Sequence, residues 1–240
     1  MIDIHTHILP GVDDGSIDLE NSLIMLKQAN EQGVTHLVLT PHSILNSRKF
    51  LSKEDLFLRF QKLVNAAKDI PIQLYLGSEI FYTDKVISKL DSGELQTFSD
   101  SKYLLIEFSM RNESDLDEIL YNIRVKGFQP ILAHPERYEY MTVEKLKQLK
   151  ENALIQINST SIEGFHGRKA KKKAFEFLKE GLVDFVSSDC HNSTTRTCSL
   201  KKSYEIVFNK FGEETARAIF ENNQLIMIQE IDKYLDNSRK

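Results

Sequence analysis

The sequence predicts an α/β fold in which a distorted, TIM-like barrel of seven strands gathers its functional residues at one end. Short, mostly apolar segments alternate with amphipathic stretches, as expected of parallel strands joined by helices. A histidine or carboxylate lies at or just after nearly every apolar segment. Barrels collect their active-site residues at this carboxyl end, whereas an open sheet would place them around one switch point.

The predicted strands are short and apolar enough to be buried on both faces. No repeat, low-complexity tract or linker interrupts the alternation, so we expect a single domain over residues 1–240. The seven strands are Ile2–His5, His36–Thr40, Gln73–Gly77, Tyr103–Phe108, Pro130–Ala133, Leu154–Asn158 and Asp184–Ser188.

Capping residues and glycines predict where the helices begin and end. Either Ser16 or Asp18 can cap a first helix that stops at Gly33. Ser52 opens a sequence that resembles a capping box before the second helix. Further helices are predicted over residues 115–126 and 169–180, with three more between residues 200 and 236.

Composition excludes several classes of protein. The chain has 240 residues, 41% of them apolar and 28% charged, and a net charge of −4, so nothing in its overall charge indicates a nucleic-acid partner. Two cysteines are too few for a disulfide framework. No secretion signal or transmembrane segment is recognisable. We therefore expect a cytoplasmic protein that does not insert into a membrane.

Nine side chains near the predicted strand ends form a candidate metal centre. Histidine and carboxylate groups are ligands of choice for Mn²⁺, Zn²⁺ and Fe. Nine are too many for one ion, but they suffice for two or three if Glu79 bridges two of them. The nitrogen and oxygen ligands favour Mn²⁺, with Zn²⁺, Fe or Mg²⁺ as alternatives. The nine are His5, His7, Asp14, His42, Glu79, Glu107, His134, Asp189 and His191.

These motifs, in this order and spacing, resemble those of the PHP (polymerase and histidinol phosphatase) superfamily. The resemblance extends over essentially the whole chain. It is strongest to the bacterial metal-dependent tyrosine phosphatases associated with capsule and exopolysaccharide synthesis, which commonly carry a glutamate where Glu107 stands. The motifs are Asp3-Ile-His-Thr-His-Ile-Leu-Pro-Gly-Val-Asp-Asp-Gly-Ser16, Pro41-His42, Gly77-Ser-Glu79, Ala133-His-Pro-Glu-Arg-Tyr138 and Ser188-Asp-Cys-His191.

The resemblance implies the PHP fold and a division of the ligands among three ions. His5, His7, Glu79 and Asp189 would hold the first. Glu79, Glu107 and His134 would hold the second, and Asp14, His42 and His191 a third. The implied activity is hydrolysis of phosphotyrosine on a cognate bacterial tyrosine kinase, which would regulate capsule or exopolysaccharide synthesis.

A hydroxide bridging two of these metals would be the nucleophile. Arg137 and Arg196 follow two of the ligands on loops of the same face, and guanidinium groups suit phosphate recognition. The resemblance gives matching arginines that role. The alternatives are a small-molecule phosphatase such as histidinol phosphatase, a nuclease or polymerase-editing domain, and a catalytically inactive scaffold. The net charge and the lack of an attached domain disfavour the nuclease, and the complete ligand set disfavours the scaffold.

Four other features have competing interpretations. Cys190 and Arg196 match the C-x5-R pattern of cysteine-dependent tyrosine phosphatases, but no glycine lies between them, and Cys190 should face away from the metals. His36, at the opposite end of its strand, is predicted to be structural. His166 is either structural or a substrate contact. The basic run 168–173 is either a solvated helix face or a docking surface for an acidic partner segment.

Overall fold

The computed structural model describes residues 1–45, 47 and 50–238. Helices connect most of the strands, and every strand pair in the described residues is parallel, as predicted. Nine strands are present in the described residues: β1 Ile2–Thr6, β2 His36–Leu39, β3 His42–Ser43, β4 Gln73–Leu76, β5 Glu79–Phe81, β6 Tyr103–Glu107, β7 Gln129–Ala133, β8 Leu154–Asn158 and β9 Phe185–Ser187.

The strands form two sheets. One has the order β1-β2-β4, and the other has the order β3-β5-β6-β7-β8-β9. An isolated parallel bridge pairs Thr6, at the end of β1, with Cys190, just after β9. Backbone hydrogen bonds from Asp189 to His5 and from His7 to Cys190 connect the same two segments. The first strand therefore lies beside the end of the last one.

The prediction of seven strands in one barrel is not confirmed, because two predicted strands are each followed by a further short strand in the other sheet. Pro41 separates β2 from β3, and proline has no N–H to donate to a sheet. Gly77 and Ser78 separate β4 from β5. A side chain at Gly77 would collide with the ring of Phe98, 2.6 Å from its Cβ position. These breaks place His42 and Glu79 at the starts of β3 and β5, paired with each other.

Ten α-helices lie in the described residues. The predicted capping positions are confirmed for Asp18 and Ser52, whose side chains accept hydrogen bonds from the backbone of Asn21 and Asp55. The unpredicted helices, α3, α5 and α6, have at most seven residues. The helices are α1 Leu19–Glu31, α2 Lys53–Ala66, α3 Val86–Asp91, α4 Leu116–Val125, α5 Val143–Leu149, α6 Ser159–Glu163, α7 Gly167–Lys179, α8 Lys201–Phe211, α9 Glu213–Arg217 and α10 Asn223–Ser238.

Two groups of buried apolar side chains support this arrangement. The larger combines strand residues with helix residues such as Leu26, Leu120 and Phe177. The smaller contains Ile4, Leu105 and Ile131 from three different strands, together with Ile228 and Ile231 of α10. In the described part of the chain, no helix has both the length and the apolar character of a membrane span.

Candidate metal centre

The structure brings all nine predicted ligand side chains into one cluster. His5 lies on β1, Glu107 ends β6, and His134 and Asp189 follow β7 and β9. Because the strands are parallel, their carboxyl ends meet on one face of the molecule. Four overlapping groups offer ligand atoms that lie within 4.8 Å of one another. They are His7, Asp14, His42 and His191; His5, His134 and Asp189; His5, His7 and Glu79; and His42, Glu79 and Glu107.

Glu79 occupies the middle of the cluster and has histidine nitrogens around both of its oxygens. Its Oε1 lies 2.8 Å from Nε2 of His134 and 3.4 Å from Nε2 of His5. Its Oε2 lies 2.8 Å from Nδ1 of His42 and 3.4 Å from Nε2 of His7. This is the geometry expected of a carboxylate that bridges two cation sites.

Asp14, Asp189 and His191 extend the cluster, and Asp14 forms its solvent-exposed edge. Nε2 of His191 and Nε2 of His42 lie 3.5 and 3.4 Å from Oδ1 of Asp14. Oδ1 of Asp189 lies 3.4 Å from both Nδ1 of His191 and Nε2 of His7. Asp14 is the most exposed of these groups, with 63% of its side chain accessible. A cation held here would therefore be the most accessible to solvent.

The orientation of His5 and His7 fits a bound cation. The Nδ1 atoms of the two rings lie 3.0 Å from the amide oxygen of Gln156 and 2.7 Å from a carboxylate oxygen of Asp13. Both oxygens can only accept, so each ring carries a proton on Nδ1. The two Nε2 atoms then face each other at 3.2 Å. Two lone pairs would repel at that distance, so positive charge must lie between them. Burial acts to lower the pKa of His7, but its hydrogen bonds to Asp13, Asp189 and Glu79 raise that pKa well above its ordinary value. A proton therefore supplies this charge without a metal, and a metal ion would replace it in a loaded centre.

Burial disfavours the charged form of each of these groups. Neighbouring charges reverse or reinforce the effect of burial on the pKa, depending on the group. Burial acts to lower the pKa of His42, but the carboxylates of Asp14 and Glu79 raise it to about 10. Burial lowers the pKa of His134 to about 4. Burial and the nearby charge of Glu79 raise the pKa of Glu107 to about 8. Protons thus balance part of the negative charge that cations would balance in a loaded centre.

Three side chains that contact and orient the candidate ligands were not predicted from the sequence. Gln156 and Asn158, on β8, are buried, and the Asn158 amide donates to Oδ2 of Asp189 at 2.7 Å. Asp13 accepts hydrogen bonds from the backbone N–H groups of His42 and Gly15 as well as contacting His7. Alternating amides in the apolar strand 154–158 were a usable signal, since they must share one face. Partners of this kind orient metal ligands.

The backbone is unusual at three positions around the cluster. His134 and Asp189 have positive φ values of 33° and 52°, a conformation that costs non-glycine residues about 1–3 kcal/mol. Gly15 lies against the backbone of His7, where a Cβ would be 2.1 Å from the His7 carbonyl oxygen. Only glycine therefore fits in the loop that carries Asp14.

Both predicted phosphate-binding arginines reach the cluster. Nη2 of Arg196 donates to Oδ2 of Asp189 at 2.9 Å, and Nη1 of Arg137 donates to the same oxygen at 3.3 Å. Their side chains are 26% and 23% accessible. Two guanidinium groups therefore lie at the edge of the cluster, within reach of solvent and of an anion.

The environment of Cys190 does not suit thiol chemistry. The residue is fully buried, and burial raises the pKa of its thiol to about 12, so it is not a thiolate near neutral pH. The Asn192 side-chain oxygen accepts from the backbone N–H groups of Thr194, Thr195 and Arg196. Those N–H groups would be needed to hold a phosphate in a cysteine-dependent phosphatase.

The remaining predicted features lie where their sequence positions suggested. His36 is at the amino end of β2, the end away from the cluster, and bonds to the Thr35 hydroxyl. His166 lies just before α7, with Nε2 3.2 Å from the Thr160 hydroxyl. Burial and then the charge of Arg137 lower the pKa of His166 to about 4. The basic run 168–173 forms the amino-terminal half of α7.

The fold and the cluster together define an α/β protein with a candidate multinuclear metal centre at the carboxyl ends of its strands. The sequence model described as capsular polysaccharide synthesis, CpsB/CapC, matches residues 1–229. The chain belongs to this CpsB/CapC family.

Relatives named as tyrosine-protein phosphatases match this sequence over nearly its whole length. Tyrosine-protein phosphatase CpsB of Streptococcus agalactiae is 36% identical, over 95% of this chain and 98% of the relative. Tyrosine-protein phosphatase YwqE of Bacillus subtilis is 31% identical, over 95% and 91%. A structure from a study of YwqE from Bacillus subtilis and CpsB from Streptococcus pneumoniae, described as unique metal-dependent tyrosine phosphatases, superposes with a TM-score of 0.86 at 30% identity. It covers 94% of this chain and 93% of its own.

Proposed function

We propose that this protein is a metal-dependent protein-tyrosine phosphatase. The observation that carries the proposal is the facing pair of His5 and His7 nitrogens beside Glu79, which suits two cations sharing one carboxylate. The relatives named tyrosine-protein phosphatase support the substrate class. Two or three divalent ions would bind, with Mn²⁺ as the expected metal because all the ligands are nitrogen or oxygen.

The proposed division of ligands is the one that the family resemblance implies. The distances alone also group His134 with His5 and Asp189, and Glu107 with His42 and Glu79. His5, His7, Glu79 and Asp189 would hold one ion, and Glu79, Glu107 and His134 a second. Asp14, His42 and His191 would hold a third, and His7 is also close enough to contribute there. When bound, the ions would activate water for attack on phosphorus and offset the negative charge of the phosphate.

The protein's own side chains would orient the phosphate. Arg137 and Arg196 would each donate N–H groups to phosphoryl oxygens, which gain negative charge as the ester bond breaks. Asp189 holds both guanidinium groups at the edge of the cluster before substrate arrives. The leaving phenol of tyrosine, with a pKa of about 10, needs less help from an acid than a serine alkoxide would. We therefore assign no general acid.

The proposed substrate is a phosphotyrosine-bearing bacterial tyrosine kinase, dephosphorylated in the course of capsule or exopolysaccharide synthesis. The family description supports the link to capsular polysaccharide. The specific kinase and a cytoplasmic location stay predictions, as does a single domain over residues 1–240. We also propose that the two sheets together form a distorted barrel, a view supported by the bridge between Thr6 and Cys190.

A panel of phosphate esters tests this function. Purified protein with added Mn²⁺ is given a phosphotyrosine peptide, the matching phosphoserine peptide and histidinol phosphate at equal concentrations. We expect the phosphotyrosine peptide to have the highest kcat/KM, by about 100-fold or more over either alternative. Preferential hydrolysis of histidinol phosphate would instead assign the protein to the small-molecule phosphatases.

A further inference from the structure

A cavity of about 690 Å³ lies between the metal centre and helix α7. Its lining includes Arg137 and His166, from loops beside the cluster, and Lys169, Lys172 and Lys173 of α7. Arg137 also donates to the metal-centre carboxylate Asp189. Arg137 therefore belongs both to the cavity lining and to the place where the phosphate would bind.

Three carboxylates share this lining, but two of them are engaged elsewhere. Glu136 is buried, and its side chain accepts a hydrogen bond from the backbone N–H of Asn158. Glu139 lies 3.6 Å from the guanidinium of Arg111, outside the cavity lining. Both carboxylates act electrostatically on Lys173 of α7, but neither forms an ion pair with Lys169 or Lys172 in the described residues.

The three lysines differ in their hydrogen-bond and ion-pair partners. The ammonium of Lys173 donates to the backbone carbonyls of Tyr138 and Glu139, which fixes it in place. Lys172 lies 3.6 Å from the third carboxylate, Glu176, but is 78% exposed, so that pair is weak. Lys169 is exposed and has no ion-pair partner within the described ranges. The lining thus holds four cationic side chains and three carboxylates, and Lys169 and Lys172 are its exposed lysines.

We propose that this cavity binds acidic residues that flank the phosphotyrosine of a peptide substrate, with Lys169 and Lys172 as their partners. This inference rests on the proposed phosphatase function. A peptide whose phosphate contacts Arg137 would have neighbouring residues in the cavity beside α7. Charge complementarity then favours aspartate or glutamate at those positions, and lysine or arginine there would be repelled.

Two phosphotyrosine peptides test the proposal, one with glutamates on both sides of the phosphotyrosine and one with glutamines. The test variant is Lys169→Glu with Lys172→Glu. The control is Lys179→Glu with Lys27→Glu, which makes the same change in net charge at exposed lysines outside the cavity. Free O-phosphotyrosine is assayed alongside to establish phosphatase activity. Fluorescence anisotropy with the unphosphorylated peptides measures docking without turnover.

We expect the wild-type protein to favour the glutamate peptide by about 3- to 30-fold in kcat/KM, as two exposed ion pairs would provide. The preference should disappear in the test variant and persist in the control. Equal kcat/KM for the two peptides in the wild-type protein, or equal loss in the control, would overturn the proposal. If O-phosphotyrosine is not hydrolysed, the phosphatase function fails. In that case the anisotropy measurement decides. Tighter binding of the glutamate peptide by the wild-type and control proteins, but not by the test variant, would support the docking site. Equal binding of both peptides by the wild-type protein would refute the docking site.

Discussion

Gln156 and Asn158 are joined by a 2.9 Å hydrogen bond between their side-chain amides, and together they connect two of the candidate metal ligands. The side-chain oxygen of Gln156 accepts from Nδ1 of His5, and the side-chain NH₂ of Asn158 donates to Asp189. The chain of bonds determines which way each amide points. It also directs Nε2 of His5 toward the cluster.

Gln156→Leu should weaken metal binding, because His5 would lose the acceptor that fixes its orientation. Loss of such a partner commonly costs about 10- to 100-fold in metal affinity or activity. The Mn²⁺ affinity is measured by titration of the metal-free protein. Ile157→Val, on the same strand, is the control, and it should keep its affinity while losing about 1 kcal/mol of stability. An affinity in Gln156→Leu equal to that of the control would mean that Gln156 only fills space.

His134→Ala and Asp189→Asn should each abolish turnover with the fold retained. Nε2 of His134 lies 2.8 Å from Oε1 of Glu79, the carboxylate proposed to bridge two ions. Asp189 contacts His7, His191 and both arginines. Asparagine suits position 189 because it tolerates the positive φ of 52°. Steady-state rates are compared with circular dichroism of the same samples. Wild-type turnover in either variant would remove that residue from the assignment.

Arg137→Ala should lower the rate more than substrate binding. A guanidinium that stabilises developing charge on the phosphoryl oxygens contributes mainly to kcat, and its loss should cost about 100-fold or more. The values of kcat and KM are determined with O-phosphotyrosine, and Arg137→Lys serves as the matched variant. A rise in KM with unchanged kcat would indicate a role in binding alone.

Gly15→Ala should displace the loop that carries Asp14. The added methyl group would lie 2.1 Å from the carbonyl oxygen of His7, so one of the two segments must move. Fewer bound ions per protein, measured by elemental analysis after dialysis, are therefore expected. Gly181→Ala is a useful comparison, because its added methyl group lies in open space and any effect there comes only from the positive φ of 67°. Equal metal content in the two variants would argue against this account of the loop.

Removal of metal should destabilise the fold, because the buried carboxylates of Glu79 and Asp189 would lose their balancing charge. At a metal concentration of 100 times Kd, binding contributes about 2.7 kcal/mol. This corresponds to a decrease in Tm of roughly 5–10 °C for a chain of this size. Differential scanning calorimetry with and without chelator measures the difference. Identical melting temperatures for the metal-free and metal-supplemented protein would oppose a tightly bound centre.

Much of the fold could be read from the sequence because apolar runs, capping residues and glycines are local signals. The start of α1 after Asp18 and the start of α2 after Ser52 are examples. The break at Gly77 was missed because it depends on non-local packing, where the ring of Phe98 occupies the space beside the backbone. The break at Pro41 has a local signal that was not interpreted as the start of a second strand. The count of seven strands was wrong for these reasons.

The clustering of the nine candidate ligands could be predicted because their chemistry is specific and parallel strands bring their ends together. Their grouping could not be predicted fully, since His7 approaches both Glu79 and the set that contains Asp14. Supporting residues were harder to recognise. Gln156 and Asp13 have common polar side chains, and their importance depends on which ring they face in three dimensions.

Hydrolysis of a phosphotyrosine peptide by the wild-type and Cys190→Ser proteins, with chelator and with added Mn²⁺, tests the central claim most directly. Because the Cys190 thiol is buried and neutral, both proteins should lose activity with chelator and regain it with Mn²⁺. Activity that persists in chelator and is absent from Cys190→Ser would contradict this account. It would assign catalysis to the thiol instead of the metal centre.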